Sequence, residues 1–248
     1  MFISYNVWGD RVEKLKAYFS YSAALICIFL FGALLYISVD EPPESTAVSA
    51  EPENIVVIDA GHGGEDGGAS ANGVLEKNIN LPIALKLRDM LKSAGYQVVM
   101  TRDTDISIYD STASTVREKK VSDMKNREKI INSSDKNILL SIHQNKFEQS
   151  KYSGTQIFYS KNDPESAVLA ESIRRSVTGM LQPENKRELK ADNNSIYILK
   201  TAKVPAVIVE CGFLSNPDEA AKLSSDKYQN EMAFAIFCGF LEYESANH

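Results

Sequence analysis

Only three histidines occur in the 248 residues: His62, His143 and the C-terminal His248. The two internal ones each follow an apolar run. His62 comes after Ile55-Val56-Val57-Ile58 by way of Asp59-Ala60-Gly61, and His143 closes Ile138-Leu139-Leu140-Ser141-Ile142. Glu210 ends a third run, Ala206-Val207-Ile208-Val209, and Glu76 opens a stretch of helical periodicity. Open α/β sheets bind ligands outside the carboxyl ends of their strands. If the three runs are parallel strands, His62, His143 and Glu210 share one rim, and Glu76 can lie beside them. Two imidazoles and one carboxylate, with a position open to water, form the hydrolytic zinc pattern, and the second carboxylate is then free to act as general base. Taken singly, each residue has a plainer role: a turn histidine, a structural strand-end histidine, a helix-start glutamate favoured by the dipole, a solvated strand-end charge. The coincidence of both internal histidines at strand ends favours the metal.

Other chemistries fit less well. The glycines from Gly61 to Gly68 match neither the phosphate-binding loop nor the dinucleotide fingerprint, and there is no Gly-x-Ser-x-Gly elbow. They allow backbone angles that let a ligand come close to His62. Cys211, beside Glu210, reads as a small packing residue rather than a nucleophile paired with His143. The three cysteines, Cys27, Cys211 and Cys238, are too few and scattered for a disulfide framework or a cysteine zinc site. A net charge of −6 argues against nucleic acid as the main partner.

The elements that must position these residues follow from periodicity and punctuation. Strands are expected at 55–58, 96–100, 137–142, 155–159, 196–199 and 206–209. Glu65 to Gly73, Asp103 to Thr115 and Gln182 to Asn194 read as polar loops. A helix carrying Ile79, Ile83, Leu87 and Leu91 ends at Gly95. Its start is ambiguous, because Pro82 suits only a first turn: either Asn80 caps it or Pro82 distorts its opening. Further helices are expected over 117–133, after Asp163-Pro164, after Asn216-Pro217, and over about 227–242 with Phe234, Phe237 or Cys238, and Leu241 inward. Strands alternating with helices predict one α/β domain over residues 54–248, with a largely parallel sheet covered by helices on both faces.

No charged residue occurs from Ala17 to Val39, a span long enough to cross a bilayer as a helix. Basic residues precede it and Asp40, Glu41 and Glu44 follow. The positive-inside rule therefore predicts a cytoplasmic segment 1–16, a transmembrane signal-anchor 17–39, a linker 40–53 and an extracytoplasmic domain. A cleaved signal peptide is the weaker alternative: the run is long, and the small-residue site Val48-Ser49-Ala50 lies far beyond its end.

Five segments taken together, Ile58-Asp59-Ala60-Gly61-His62-Gly63-Gly64, Leu75-Glu76-Lys77, Met100-Thr101-Arg102, Ser141-Ile142-His143-Gln144-Asn145 and Val209-Glu210-Cys211-Gly212-Phe213-Leu214-Ser215-Asn216, resemble the zinc-dependent N-acetylmuramoyl-L-alanine amidases of bacterial cell walls. The resemblance spans about residues 54–243. It implies that His62, Glu76 and His143 hold Zn2+, that Glu210 is the catalytic glutamate, and that Asn145 supports the site or touches substrate. Within the family, one short catalytic domain behind an anchor is most similar to the germination-specific amidases of endospore formers, which implies a role in muramic-lactam formation in spore cortex. Pro82 and Gln144 depart from the family pattern. Peptidoglycan is the implied substrate, and the lack of wall-binding repeats leaves room for a protein activator or recruiting partner. Two other readings are a zinc peptidase acting within the stem peptide and a catalytically silent anchored wall-binding protein.

Overall fold

The β-branched run Ile55-Val56-Val57-Ile58 sits at the heart of the sheet, with Val56, Val57 and Ile58 fully buried. The structure, a computed structural model, describes residues 54–247. The expected segments 1–16, 17–39 and 40–53 lie outside the described residues. Among the described residues, no helix is long and apolar enough to cross a membrane.

The strands are β1 (Ile55–Ala60), β2 (Ser70–Ala71), β3 (Val74–Leu75), β4 (Gln97–Met100), β5 (Asn137–Asn145), β6 (Gln156–Tyr159), β7 (Lys190–Ala191) and β8 (Ala206–Phe213). The helices are α1 (Lys77–Ser93), α2 (Val116–Ile131), α3 (Glu165–Met180), α4 (Tyr197–Thr201), α5 (Pro217–Leu223) and α6 (Asp226–Asn247). Six strands form one sheet in the order β4-β1-β5-β8-β6-β7. β4, β1, β5 and β8 are mutually parallel, and β6 runs antiparallel to β8. The three strands that carry the ionisable residues are therefore parallel neighbours, with Ile58 opposite Leu140 and His143 opposite Glu210.

Alternation along each strand divides the apolar residues between two layers. Val56, Ile58, Leu140, Ile142, Val207 and Val209 pack with α1, α3 and α6, whereas Val57, Leu139, Ala206 and Ile208 pack with α2 and α4. Residues 54–247 thus form a mixed, mostly parallel sheet with helices on both faces.

Several local expectations need correction. β5 and β8 run on past 142 and 209, so His143 and Glu210 lie within the last paired residues rather than beyond them. α1 is continuous from Lys77, with Pro82 inside it and Glu76 at its N-cap. Residues 197–201 are a short helix, not a strand. Asp192 causes this: its carboxylate accepts from the backbone amides of Asn194, Ser195 and Ile196 and turns the chain into α4. Residues 65–73 are not wholly loop. Asn72 and Gly73, with φ of 49° and 76°, make a tight turn between β2 and β3. In α6 the fully buried residues include Met232, Ala233, Ala235, Ile236 and Phe240; Phe237 and Leu241 pack half-buried against the core as expected, while Phe234 is exposed.

α6 approaches α3 closely because residue 239 is glycine. A Cβ there would stand 2.5 Å from Ile173 Cα, a contact only backbone movement relieves. Gly239→Ala is expected to cost about 1–3 kcal/mol of stability by overpacking. Gly179→Ala, in open space within α3, should raise stability by about 0.5–1 kcal/mol. Urea titration of both variants checks the pair.

Candidate functional site

β1 ends at Ala60, and the chain then turns through Gly61-His62-Gly63-Gly64 over the rim of the sheet. His62 has φ of 62°, the left-handed region that a non-glycine residue enters at a cost of about 1–2 kcal/mol. Two glycines leave room for the imidazoles. A Cβ on Gly61 would collide with the His143 ring, and one on Gly68 would lie 2.6 Å from both the His62 ring and Glu76 Oε2. The β2–β3 hairpin returns the chain so that Glu76 caps α1 beneath these rings. Asn72 Nδ2 ties the hairpin turn to the Leu214 carbonyl at 2.8 Å, just past the end of β8.

His62, Glu76 and His143 converge. His62 Nε2 lies 3.1 Å from Glu76 Oε2, and His143 Nδ1 lies 2.8 Å from Glu76 Oε1. One ligand atom from each of the three falls within 4.8 Å of the others. Two ligands about 2.0–2.1 Å from a tetrahedral zinc sit about 3.3 Å apart, and the two His–Glu76 separations, each to a different carboxylate oxygen, lie just under that. The far nitrogen of His62, Nδ1, lies 2.8 Å from Asp66 Oδ2, the carboxylate-behind-histidine arrangement that orients metal-binding imidazoles. Burial works against a charged His143, yet the carboxylates of Glu76, Glu210 and Asp59 outweigh it and raise its pKa to about 9. Metal ligation requires both imidazoles neutral, which leaves the Glu76 carboxylate without a counter-charge, and a divalent cation would supply it.

The two glutamates occupy opposite environments. Glu76 is buried but saturated: Oε1 accepts from the Gln144 amide at 3.0 Å and from Asn80 Nδ2 at 3.3 Å, and Oε2 from the Ala69 amide at 2.8 Å. Burial would raise its pKa, but the hydrogen bonds of His143 and His62 override that and hold it far below the carboxylate range. Glu210 is half-buried without such support, and its buried Oε2 has no hydrogen-bond partner. Burial raises its pKa to about 7, against the lowering influence of His143. Cys211, on the other face of β8, is fully buried in the larger core, and burial pushes its thiol pKa far up, so it is no nucleophile.

A profile of the N-acetylmuramoyl-L-alanine amidase family matches residues 56–241. The chain belongs to the N-acetylmuramoyl-L-alanine amidase family. It is 33% identical over 235 residues to the germination-specific N-acetylmuramoyl-L-alanine amidase of Bacillus subtilis, covering 93% of this chain and 95% of the relative. The CwlD amidase from Clostridioides difficile, solved in complex with the GerS lipoprotein, superposes with a TM-score of 0.75 at 42% identity, covering 78% of this chain and 99% of that one. The amidase AmiC2 of Nostoc punctiforme gives a TM-score of 0.66 at 30% identity, covering 77% and 97%.

All four sequence-predicted residues of this amidase thus meet at one rim. Residues behind them carried a weaker signal. Asp59, fully buried at the end of β1, accepts from Thr101 Oγ1 at 2.8 Å, Ser141 Oγ at 2.6 Å and Arg127 Nη1 at 2.5 Å. Arg127 interrupts no visible apolar pattern, because α2 has little pattern to interrupt. Asn80 reads as a helix cap in sequence, yet it is fully buried and bonds Gly61 O and Glu76.

Asp59 generates a pH prediction. Burial would raise its pKa, but Arg127, His143, Ser141 and Thr101 lower it from 3.8 to about 2. A carboxyl group with a lower pKa in the folded state stabilises the fold above its unfolded pKa, and that stability is lost as pH falls through the folded one. The amidase should therefore lose about 2 kcal/mol between about pH 4 and pH 2 through this group. Asp59→Asn should abolish that part of the slope and lower stability at pH 7, as read by urea midpoints at several pH values.

Proposed function

We propose that this amidase is a zinc enzyme of spore-forming bacteria, anchored in the membrane with its catalytic domain outside, that cleaves the amide between the lactyl group of N-acetylmuramic acid and L-alanine. In this reading His62, Glu76 and His143 hold the zinc and Glu210 is the catalytic base. The observation that carries it is the convergence of three ligand atoms within 4.8 Å beside a buried carboxylate oxygen with no partner. A saturated, strongly ionised Glu76 suits a ligand, and an unsupported Glu210 suits proton transfer.

Zinc bound there would polarise the scissile carbonyl and lower the pKa of water toward about 7. The chain's own residues do the rest. Glu210, with a pKa near neutrality, takes a proton from the attacking water and returns it to the leaving nitrogen of L-alanine. Register places Glu210 directly opposite His143, so the base stands one strand spacing from the ligand. Asp66 holds His62 in the tautomer that leaves Nε2 free for the metal. Asn145, two residues beyond His143 on β5 and opposite Phe213, sits at the rim where substrate would lie.

The germination role rests on similarity to the Bacillus subtilis enzyme across 93% of this chain. The charge-free span 17–39 supports the anchor, and an extracytoplasmic domain is where peptidoglycan is met. The CwlD amidase was solved with a lipoprotein bound, which supports a protein partner for this chain also.

Glu210→Gln should retain stoichiometric zinc and lose about 10^2–10^4-fold in kcat, whereas His62→Ala or His143→Ala should lose the zinc itself. Elemental analysis and turnover on purified peptidoglycan separate the two classes, and an active Glu210→Gln enzyme would remove Glu210 from its role. Mass spectrometry of the products should find stem peptides beginning with free L-alanine. Disaccharide-linked, shortened peptides would instead identify a peptidase.

A further inference from the structure

The rim loop that presents His62 is held by its carbonyl oxygens. Ala60 O receives Arg102 Nε at 2.8 Å and Arg127 Nη1 at 3.0 Å. Gly61 O receives Arg102 Nη2 at 3.0 Å and Asn80 Nδ2 at 3.1 Å. His62 O receives Arg127 Nη2 at 2.8 Å. Gly63 O receives Ser107 Oγ at 2.5 Å, and Gly64 O receives Lys77 Nζ at 2.7 Å. Five successive carbonyls are thus each held by a side chain from another part of the fold.

Arg127 is the unusual member. It is the bulkiest of the fully buried side chains, at 2% exposure, and its partner Asp59 is at 0%. A buried guanidinium is costly unless it is paired and its donors are used. Here Nη1 meets Asp59 Oδ1, Nε meets Asp123 Oδ2 at 2.6 Å, and the remaining donors reach the carbonyls of Ala60 and His62. One rigid fork therefore links the anchored end of β1 to the residue whose backbone stands at φ 62°. That conformation persists only where surrounding contacts over-determine it.

We propose that Arg127 is a positioning residue: by holding the carbonyls of Ala60 and His62 from the buried Asp59 anchor, it keeps His62 in the left-handed conformation that aims its imidazole at Glu76 and His143. The inference rests on the zinc reading of that cluster and concerns the preorganisation of one ligand. Lysine cannot replace the fork. It keeps the charge opposite Asp59 but presents a point donor that cannot serve Asp59, Ala60 and His62 together.

The test compares the full-length protein with Arg127→Lys and with Asp123→Asn, which weakens the anchor at Nε and leaves an amide oxygen to accept from the Ile108 amide, the other bond Asp123 makes. Zinc dissociation constants are read by competition with a fluorescent chelator, the visible spectrum of the Co2+-substituted protein reports ligand geometry, and melting by circular dichroism reports the metal-free fold. Arg127→Lys should melt cooperatively, bind zinc about 10–100-fold more weakly, and show an altered Co2+ spectrum. Its kcat should fall with KM little changed, since substrate does not touch Arg127. Asp123→Asn should shift the same quantities in the same direction by a smaller factor. Wild-type zinc affinity and Co2+ spectrum in a folded Arg127→Lys would overturn the inference while leaving the zinc site standing. If Arg127→Lys does not fold, wild-type values in Asp123→Asn overturn it equally. A wild-type protein that binds no zinc would overturn the zinc reading, and the inference with it.

Discussion

The carbonyls of Ala60 to Gly64 are the constraint on which the rest of this structure depends. A strand that stops in the middle of a sheet leaves strong acceptors in a crowded interior, and each must find a donor. Here the donors come from α1, from the segment after β4, and from α2, so three separate parts of the chain are tied to one turn. A hydrogen bond of this kind contributes about 0.5–1.5 kcal/mol, but leaving such an acceptor unmet costs more. The turn is thereby held in a backbone conformation that the chain would not choose alone. The reward is geometric: the imidazole of His62 faces Glu76 Oε2 at 3.1 Å, and the rings of His62 and His143 meet edge to face with centroids 5.0 Å apart.

A second organising contrast lies between two glutamates at the same rim of the sheet that are far apart in chemistry. Glu76 is met by two backbone amides, an asparagine and two histidines. Glu210 has an oxygen that nothing meets. The same functional group is therefore strongly ionised in one place and close to neutrality in the other, with burial the cause of the second and hydrogen bonding the cause of the first. Paired carboxylates driven apart in this way divide the work of holding charge and moving protons. It is a division that suits amide hydrolysis, the activity of the family to which the chain belongs.

Much of this was legible in the residues. The three apolar runs before His62, His143 and Glu210 read as buried strands, and their alternation with helices read as a largely parallel sheet. Glycine around His62 announced a turn with close neighbours. Other features were hidden for physical reasons. The Asp192 carboxylate turns the chain at 194–196 so that the apparent strand continues as helix from Tyr197, and a single side chain accepting from three loop amides leaves no periodic trace. Asn72-Gly73 did carry the hairpin signal, but strands of two residues are too short for alternation to show. Arg127 was invisible for the opposite reason: a buried arginine on a helix with exposed Val116 and Val121 looks like one more solvated cation until Asp59 is seen opposite it.

The zinc cluster is tested most directly by X-ray absorption at the zinc edge of the purified, full-length protein. Two imidazoles with oxygen neighbours at about 2.0–2.1 Å, and one imidazole fewer in His143→Ala, are expected. A sulfur neighbour at about 2.3 Å, or an unchanged imidazole count in that variant, would contradict the assignment of His62, Glu76 and His143.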